Sequence, residues 1–205
     1  MSKTLNKIDK KEYICEKAYE ELIKNDINKF SLNKFIGLIG MSKGQFYYYF
    51  KTKEELICQV IDTKCLEVFN YKYEQTKVKP RFLDKMFTFF SFFIEESDPK
   101  FVEVGKLLKD TFHLYINTNN QNIQEINRNF YYLLLGHIED IIEEMISNDY
   151  LKEEARKFPR SIIATADGMY LHSLMDNNFD IKTHFIEYLI SLDELLQKNG
   201  KGKVC

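Results

Sequence analysis

Three helix starts crowd one short stretch of this chain and leave few ways to fold it. Ser31, Ser42 and Thr52 each precede a helical pattern, and Gly40 ends the first of these helices after Ile39. Glycine takes the left-handed cap conformation without steric cost, so it stops a helix that other residues would extend. Serine and threonine accept hydrogen bonds from the first free amides of a helix. The spacing predicts a helix over Leu32 to Ile39, a turn Gly40-Met41-Ser42, and a second helix over Lys43 to Tyr49. Two short helices joined in this way make a helix-turn-helix. Thr52-Lys53-Glu54-Glu55 then reads as a capping box opening a longer helix that reaches about Gln75.

The second short helix is dense in polar rings and amides. Lys43, Gln45, Tyr47, Tyr48 and Tyr49 cannot all face inward on so few residues, so some of them meet solvent or a partner. Double-stranded DNA suits such a surface. Glutamine can pair with adenine, lysine can donate to guanine or phosphate, and tyrosine hydroxyls reach phosphate oxygens. Gly44 has no side chain to hold a partner off. The helix starts at Ser31, Ser42 and Thr52 offer amide donors to phosphates. From periodicity alone, a tyrosine-rich helix that only packs inside a bundle stays open as a reading.

Elsewhere the pattern is helical almost throughout, with three prolines and no sustained strand alternation. Beyond the helices named, others are expected over Lys10 to Asn25 with Asp9 as N-cap, Arg81 to Glu96, from Pro99 onward, Ile123 to Ser147, Pro159 to Met175, and from the cap Asp180 to about Lys198. The expected fold class is all-α, about nine helices. An N-terminal three-helix bundle (1–50) leads through a connecting helix (51–76) to a helical domain (77–200) and a disordered tail (201–205).

Bulk properties exclude more than they assign. The 205 residues are 44% apolar and 29% charged, which suits a globular chain. Net charge is -2, divided as +2 over residues 1–62 and -4 over residues 63–205, too weak a contrast to point to nucleic acid. Cys15, Cys58, Cys65 and Cys205 form no C-x-x-C pair and are expected as reduced thiols. The N-terminus lacks an apolar signal core, and the longest apolar run, Met86 to Ile94, is too short to span a bilayer. A cytoplasmic protein without a membrane partner is expected. His113, His137, His172 and His184 fall in no His-Glu-x-x-His or Glu-x-x-His pattern, so neither metal nor other cofactor is expected. No nucleophile–base pair is apparent, and the chain is not read as an enzyme. The competing reading is a helical ligand-binding or enzymatic bundle that uses no DNA.

The stretch from Ser31 to Leu56 resembles the tetracycline-repressor (TetR) family of transcription regulators. Ser31, Leu32, Phe35, Gly40, Met41, Ser42, Gly44, Phe46, Tyr47, Tyr49, Phe50, Lys53 and Leu56 match its pattern identically or conservatively. The likeness covers about residues 10–62; beyond them it extends only to length, helical pattern and Asp167-Gly168. It implies that Ser31 caps its helix and touches phosphate, and that Lys43, Gly44 and Gln45 lie against the major groove. Tyr47, Tyr49 and Lys53 would hold the phosphate backbone, while Phe46, Phe50 and Leu56 set the angle of the reading helix. Ile36 and Ile39 stand where the family has small alanines, which should spread the helices unless Gly37 makes room. Asp26 stands where the family favours glycine.

For the second domain the resemblance implies a ligand cavity between the middle helices. Phe89, Phe93, Leu108, Tyr131, Leu135 and Met169 would wall it, with His113 or His137 as a polar anchor, for an apolar or aromatic effector. Individually, each is more readily plain core than a ligand contact. It also implies a homodimer through the last two helices, by Ile162, Ala166, Tyr170, Phe185, Leu189 and Leu192, with Gly168 allowing close approach. The same stripes could instead cover the chain's own core. The implied function is a ligand-responsive repressor released from a palindromic operator by a small-molecule effector.

Overall fold

The computed structural model describes residues 7–25, 29–91, 102–107, 114 and 119–198, with side chains from residue 10 onward. The chain packs as two compact units. One joins Met1–Leu66 with Val102–Phe130, the other Glu67–Phe101 with Tyr131–Cys205. The division therefore falls inside the helix that the sequence reading set apart as a connector, between Leu66 and Glu67.

The first unit holds α1 (Lys7–Lys24), α2 (Leu32–Leu38), α3 (Lys43–Tyr49), the first half of α4 (Lys53–Thr76) and α6 (102–107). Helix α1 begins before Asp9, so that residue lies within the helix and does not cap it. Its inward face is Ile14, Ala18 and Leu22, all buried at spacings of four residues. Gly40 takes φ +67° behind α2, the left-handed cap that its position required. A chain of rings ties α2 to α3. Phe30 lies 5.4 Å from Phe35, Phe35 stands edge-on to Phe46 at 6.5 Å, and Phe46 meets Phe50 at 5.8 Å. Phe46, Phe50 and Leu56 are fully buried, as the resemblance implied. Ile36 is buried and Ile39 half-buried, and a Cβ on Gly37 would meet nothing within 4 Å. The side of α2 at Gly37 is open, so Gly37 is not where these side chains find room. Asp26 lies outside the described residues.

Cys15, Cys58 and Cys65 are buried in this unit and unpaired. Burial raises the Cys15 and Cys58 thiols to about 12, and the Cys65 thiol is also pushed up by burial.

The second unit holds the rest of α4, α5 (Phe82–Phe89), most of α7 (Gln121–Ser147), a 3₁₀ turn (Glu153–Lys157), α8 (Pro159–Met175) and α9 (Ile181–Leu196). Its core joins Phe82, Met86, Phe89 and Phe90 with Ile138, Ile142, Phe185 and Leu189. A buried lysine is built into it. The Lys85 ammonium donates to the Thr76 carbonyl at 2.9 Å and pairs with Glu144 at 2.8 Å, joining α4, α5 and α7. Asp180 caps α9 by accepting from the Thr183 amide at 3.2 Å. Behind α9 the chain makes an isolated antiparallel bridge, Gln197 to Leu151, which ends the helix at Leu196 instead of Lys198. The 3₁₀ turn and this bridge had no periodic signal in the sequence. Helix α5 ends at Phe89 with Phe90 as its C-cap, short of the expected Glu96, while the start at Pro99 and the tail 201–205 lie outside the described residues.

Candidate nucleic-acid interface

Helix α3 is seven residues held by one side chain and exposed on the rest. Phe46 is fully buried, while Lys43, Gly44 and Gln45 are exposed. Tyr47 is 41% exposed and Tyr48 60%, with Tyr49 half-buried. Phe46 supports this face from beneath: the Tyr47 ring stands edge-on to it at 5.6 Å. Tyr48 and Tyr49 stand edge-on to each other at 5.1 Å. A Cβ on Gly44 would meet nothing, so the backbone there is open to approach.

Both ends of α3 are closed by side chains. At the start, Ser42 accepts from the Gln45 amide at 3.2 Å, and the Gln45 side-chain oxygen accepts from the Ser42 amide at 2.9 Å. That is a complete capping box. Gln45 therefore begins as a structural residue, and a two-point contact to adenine would have to release the bond to Ser42. At the far end the Lys51 ammonium donates to the Tyr47 carbonyl at 2.8 Å. Amides on Lys43 and Gly44 stay available to an anion; those of Ser42 and Gln45 do not.

The other two helix starts differ from expectation. Ser31 occupies the N-cap position of α2, yet its hydroxyl makes no cap bond. Its ψ is 108° against 155° at Ser42, and the third helical residue, Lys34, has no acceptor to reach back with. At α4, Thr52 accepts from the Glu55 amide at 3.0 Å, but the Glu55 carboxylate accepts from Lys51, not from Thr52. The box is widened by one residue. The Lys51 amide is spent on it, and two carboxylates, Glu54 and Glu55, stand in the first turn. This start is a poorer phosphate seat than α3. Lys53 is half-buried, with its ammonium 5.6 Å from the Phe30 ring centre.

One signal was diluted in the sequence. From residue 27 to 53 the chain carries Lys29, Lys34, Lys43, Lys51 and Lys53 and no carboxylate. Averaging over residues 1–62 hid it. Lys29, Lys34 and Lys51 are exposed and belong with the candidate contacts.

Four of the expected effector residues, and His137, fall among the described residues. Phe93, Leu108 and His113 lie outside the described residues. Phe89 is fully buried against Phe69 and Phe90, at 5.4 and 5.1 Å, and Leu135 is also core. Tyr131 is half-buried, with Arg160 donating to its hydroxyl at 3.4 Å, and Met169 is half-buried. His137 stacks on Tyr73 at 4.0 Å, and its Nε2 lies 2.8 Å from the Asn70 amide oxygen. Burial holds its pKa below the usual imidazole value, against the opposing pull of Asp140. Tyr73 in turn donates to Asp140 at 3.0 Å. A cavity of about 440 Å³ does exist in the second unit, lined by other residues. Among the described residues no group of His, Cys, Asp or Glu could hold a metal ion, and no helix is long and apolar enough to cross a membrane.

The expected dimer stripe is a correction. Ile162, Ala166, Phe185, Leu189 and Leu192 are buried within the chain itself, and Tyr170 is half-buried. The five buried residues pack the core of their own unit and leave no surface for a second copy; Tyr170 alone keeps some. The outward faces are different. On α8 they are Ala164, Gly168, Leu171 and Met175, spaced four, three and four residues apart; on α9 they are Ile190, Ser191 and Leu195. Gly168 has nothing within 4 Å of a built Cβ among the described residues, so the helix surface is open there.

No family model matches the chain, and no curated protein sequence does. Solved structures do match. A TetR-family transcriptional regulator from Cytophaga hutchinsonii superposes with a TM-score of 0.71 at 18% identity, covering 96% of this chain and 100% of that one. A second transcriptional regulator from the same organism gives 0.68 at 16% identity, covering 92% and 98%. The fatty acid degradation regulator FadR from Bacillus halodurans gives 0.63 at 15% identity, covering 96% and 97%. The all-helical fold of this chain is that of TetR-family regulators over nearly its whole length.

Proposed function

We propose that this chain is a TetR-type transcription regulator that binds operator DNA through α3 and responds to a small-molecule effector in its second unit. The observation that carries the reading is α3 itself: a capped helix anchored on Phe46, with Lys43, Gly44, Gln45 and Tyr47 exposed. It stands in a carboxylate-free run of five lysines. A packing helix would not leave two polar side chains and two rings in water, whereas a groove-reading helix must. Tyr47, Tyr48, Tyr49, Lys53 and the Ser31 and Ser42 starts supply phosphate contacts around it, with Lys34 and Lys51 added. Such contacts position the protein, and base edges then select sequence.

A palindromic operator needs two heads, so the acting species is a homodimer. The outward residues of α8 and α9, Leu171, Met175, Ile190 and Leu195, supply its apolar surface. Helix α4 starts in the unit of the reading head and ends in the other. An effector favouring one placement of α4 would change the head spacing and release DNA, giving repression. An intracellular, DNA-accessible location follows from this role, and no catalytic step is assigned.

Selection of genomic fragments by the full-length chain, followed by anisotropy titration of the enriched DNA, tests the reading. Tyr47→Ala and Lys43→Ala are expected to weaken binding, and each lysine removed should lower the salt slope by about 1. Enrichment of no fragment, or full binding by both variants, defeats it.

A further inference from the structure

We infer that Gln45 helps set the operator sequence as a donor-only reader, selecting guanine in each half-site in place of the adenine that an unengaged glutamine favours; the inference rests on the regulator reading above. The Gln45 side-chain oxygen lies 2.9 Å from the Ser42 backbone nitrogen. That nitrogen carries a hydrogen and can only donate, so the side-chain atom facing it is the oxygen and not the amide nitrogen. The two ends of the carboxamide are thereby told apart. Oε1 is turned back over the start of α3, and the Ser42 hydroxyl closes the box by accepting from the Gln45 backbone amide at 3.2 Å. Gln45 is exposed, so its Nε2, with two hydrogens, is the end left to meet a partner. Lys43, exposed on the same turn, is likewise a donor without an acceptor.

The base edges of the major groove divide on this point. Adenine offers an acceptor, N7, beside a donor, N6, so a two-point contact needs both the oxygen and the nitrogen of the amide. Guanine offers two neighbouring acceptors, N7 and O6, which an NH2 group alone can serve. Thymine offers one acceptor beside a methyl group, and cytosine offers a donor. Reading adenine gives up the bond that helps cap α3, whereas reading guanine keeps it. Gly44, between the two donors, has no side chain to hold the backbone off, which suits a reader whose amide is folded back.

The test uses the full-length chain to enrich genomic fragments. Each base pair of the common half-site is then varied in anisotropy titrations with the parent, Gln45→Ala and Gln45→Glu, comparing the ratio between bases and not the overall affinity. The position where Gln45→Ala loses discrimination is the one that Gln45 reads. There the parent should favour guanine over adenine by about tenfold. Replacing that guanine by 7-deazaguanine, which lacks the N7 acceptor, should weaken the parent several-fold and leave Gln45→Ala unchanged. Gln45→Glu keeps an acceptor for the Ser42 amide, so the denaturation midpoint should hold, yet its carboxylate has no hydrogen to donate and should lose the guanine preference. A preference for adenine at that position, a guanine preference that survives in Gln45→Glu, or no position altered by either variant overturns the inference and leaves the regulator reading in place. Enrichment of no fragment overturns the regulator reading, and this inference with it.

Discussion

Helix α3 and the pair α8–α9 both carry aromatic and apolar residues at helical spacing, yet they use them in opposite directions. On α3 one ring, Phe46, is buried and the polar residues around it face out. On α8 and α9 the obvious stripe faces in, and what remains outside is a thinner set of small and apolar residues. Periodicity identifies which residues share a face. It does not say whether that face meets its own core or another molecule. On α3 the shortness of the helix settled the matter, because seven residues cannot hide five polar ones. On α8–α9 two full-length helices left both directions open.

The sharpest way to break this contrast is to empty the anchor of each region. Phe46→Ala should cost about 3–5 kcal/mol and abolish DNA binding together with the fold of the first unit, read by chemical denaturation. Phe185→Ala should cost about as much through the second unit's core. If Phe185→Ala instead left stability intact and split a dimer, the inward assignment of the stripe would be wrong.

Outward residues should behave in reverse. A double variant Leu171→Glu, Leu195→Glu is expected to keep the denaturation midpoint of the isolated chain within about 0.5 kcal/mol. Light scattering should show it shifted from dimer to monomer, because each substitution places a charge in the apolar face.

Two serines in equivalent positions sharpen the picture at the reading head. Ser42→Ala removes a working cap and should cost about 1 kcal/mol, whereas Ser31→Ala removes a hydroxyl that caps nothing and should cost a few tenths at most. Equal losses from both would contradict the difference in their hydrogen bonds.

The smallest effect is a pH slope in the second unit. Burial lowers the folded-state pKa of His137, so folding favours the neutral ring. Between that lowered value and the ordinary 6.5 the unfolded chain binds more protons, so stability falls as pH drops below about 6.5. His137→Gln should flatten that part of the profile; a slope that survives belongs to another group.

Much of this was legible before any coordinates, for stated reasons. The limits of α3, the turn at Gly40 and the buried trio Phe46, Phe50 and Leu56 follow from short-range rules that act within one turn of chain. The double use of Gln45 was also written there, since Ser42-Lys43-Gly44-Gln45 is a capping-box sequence; its amide was read only as a base contact. What escaped was non-local. Nothing near Lys85 announces Glu144, 59 residues on, as its partner. The split inside α4 depends likewise on what packs against each half.

The three sealed thiols have a practical consequence for the first unit. Held protonated and out of reach, Cys15, Cys58 and Cys65 are expected to resist mild oxidants and alkylating reagents while the unit stays closed. Each becomes reactive once the helices part, so the rate at which iodoacetamide tags them is a stopwatch for opening of the head. Bound DNA should slow that stopwatch, which makes occupancy measurable from the mass that alkylation adds.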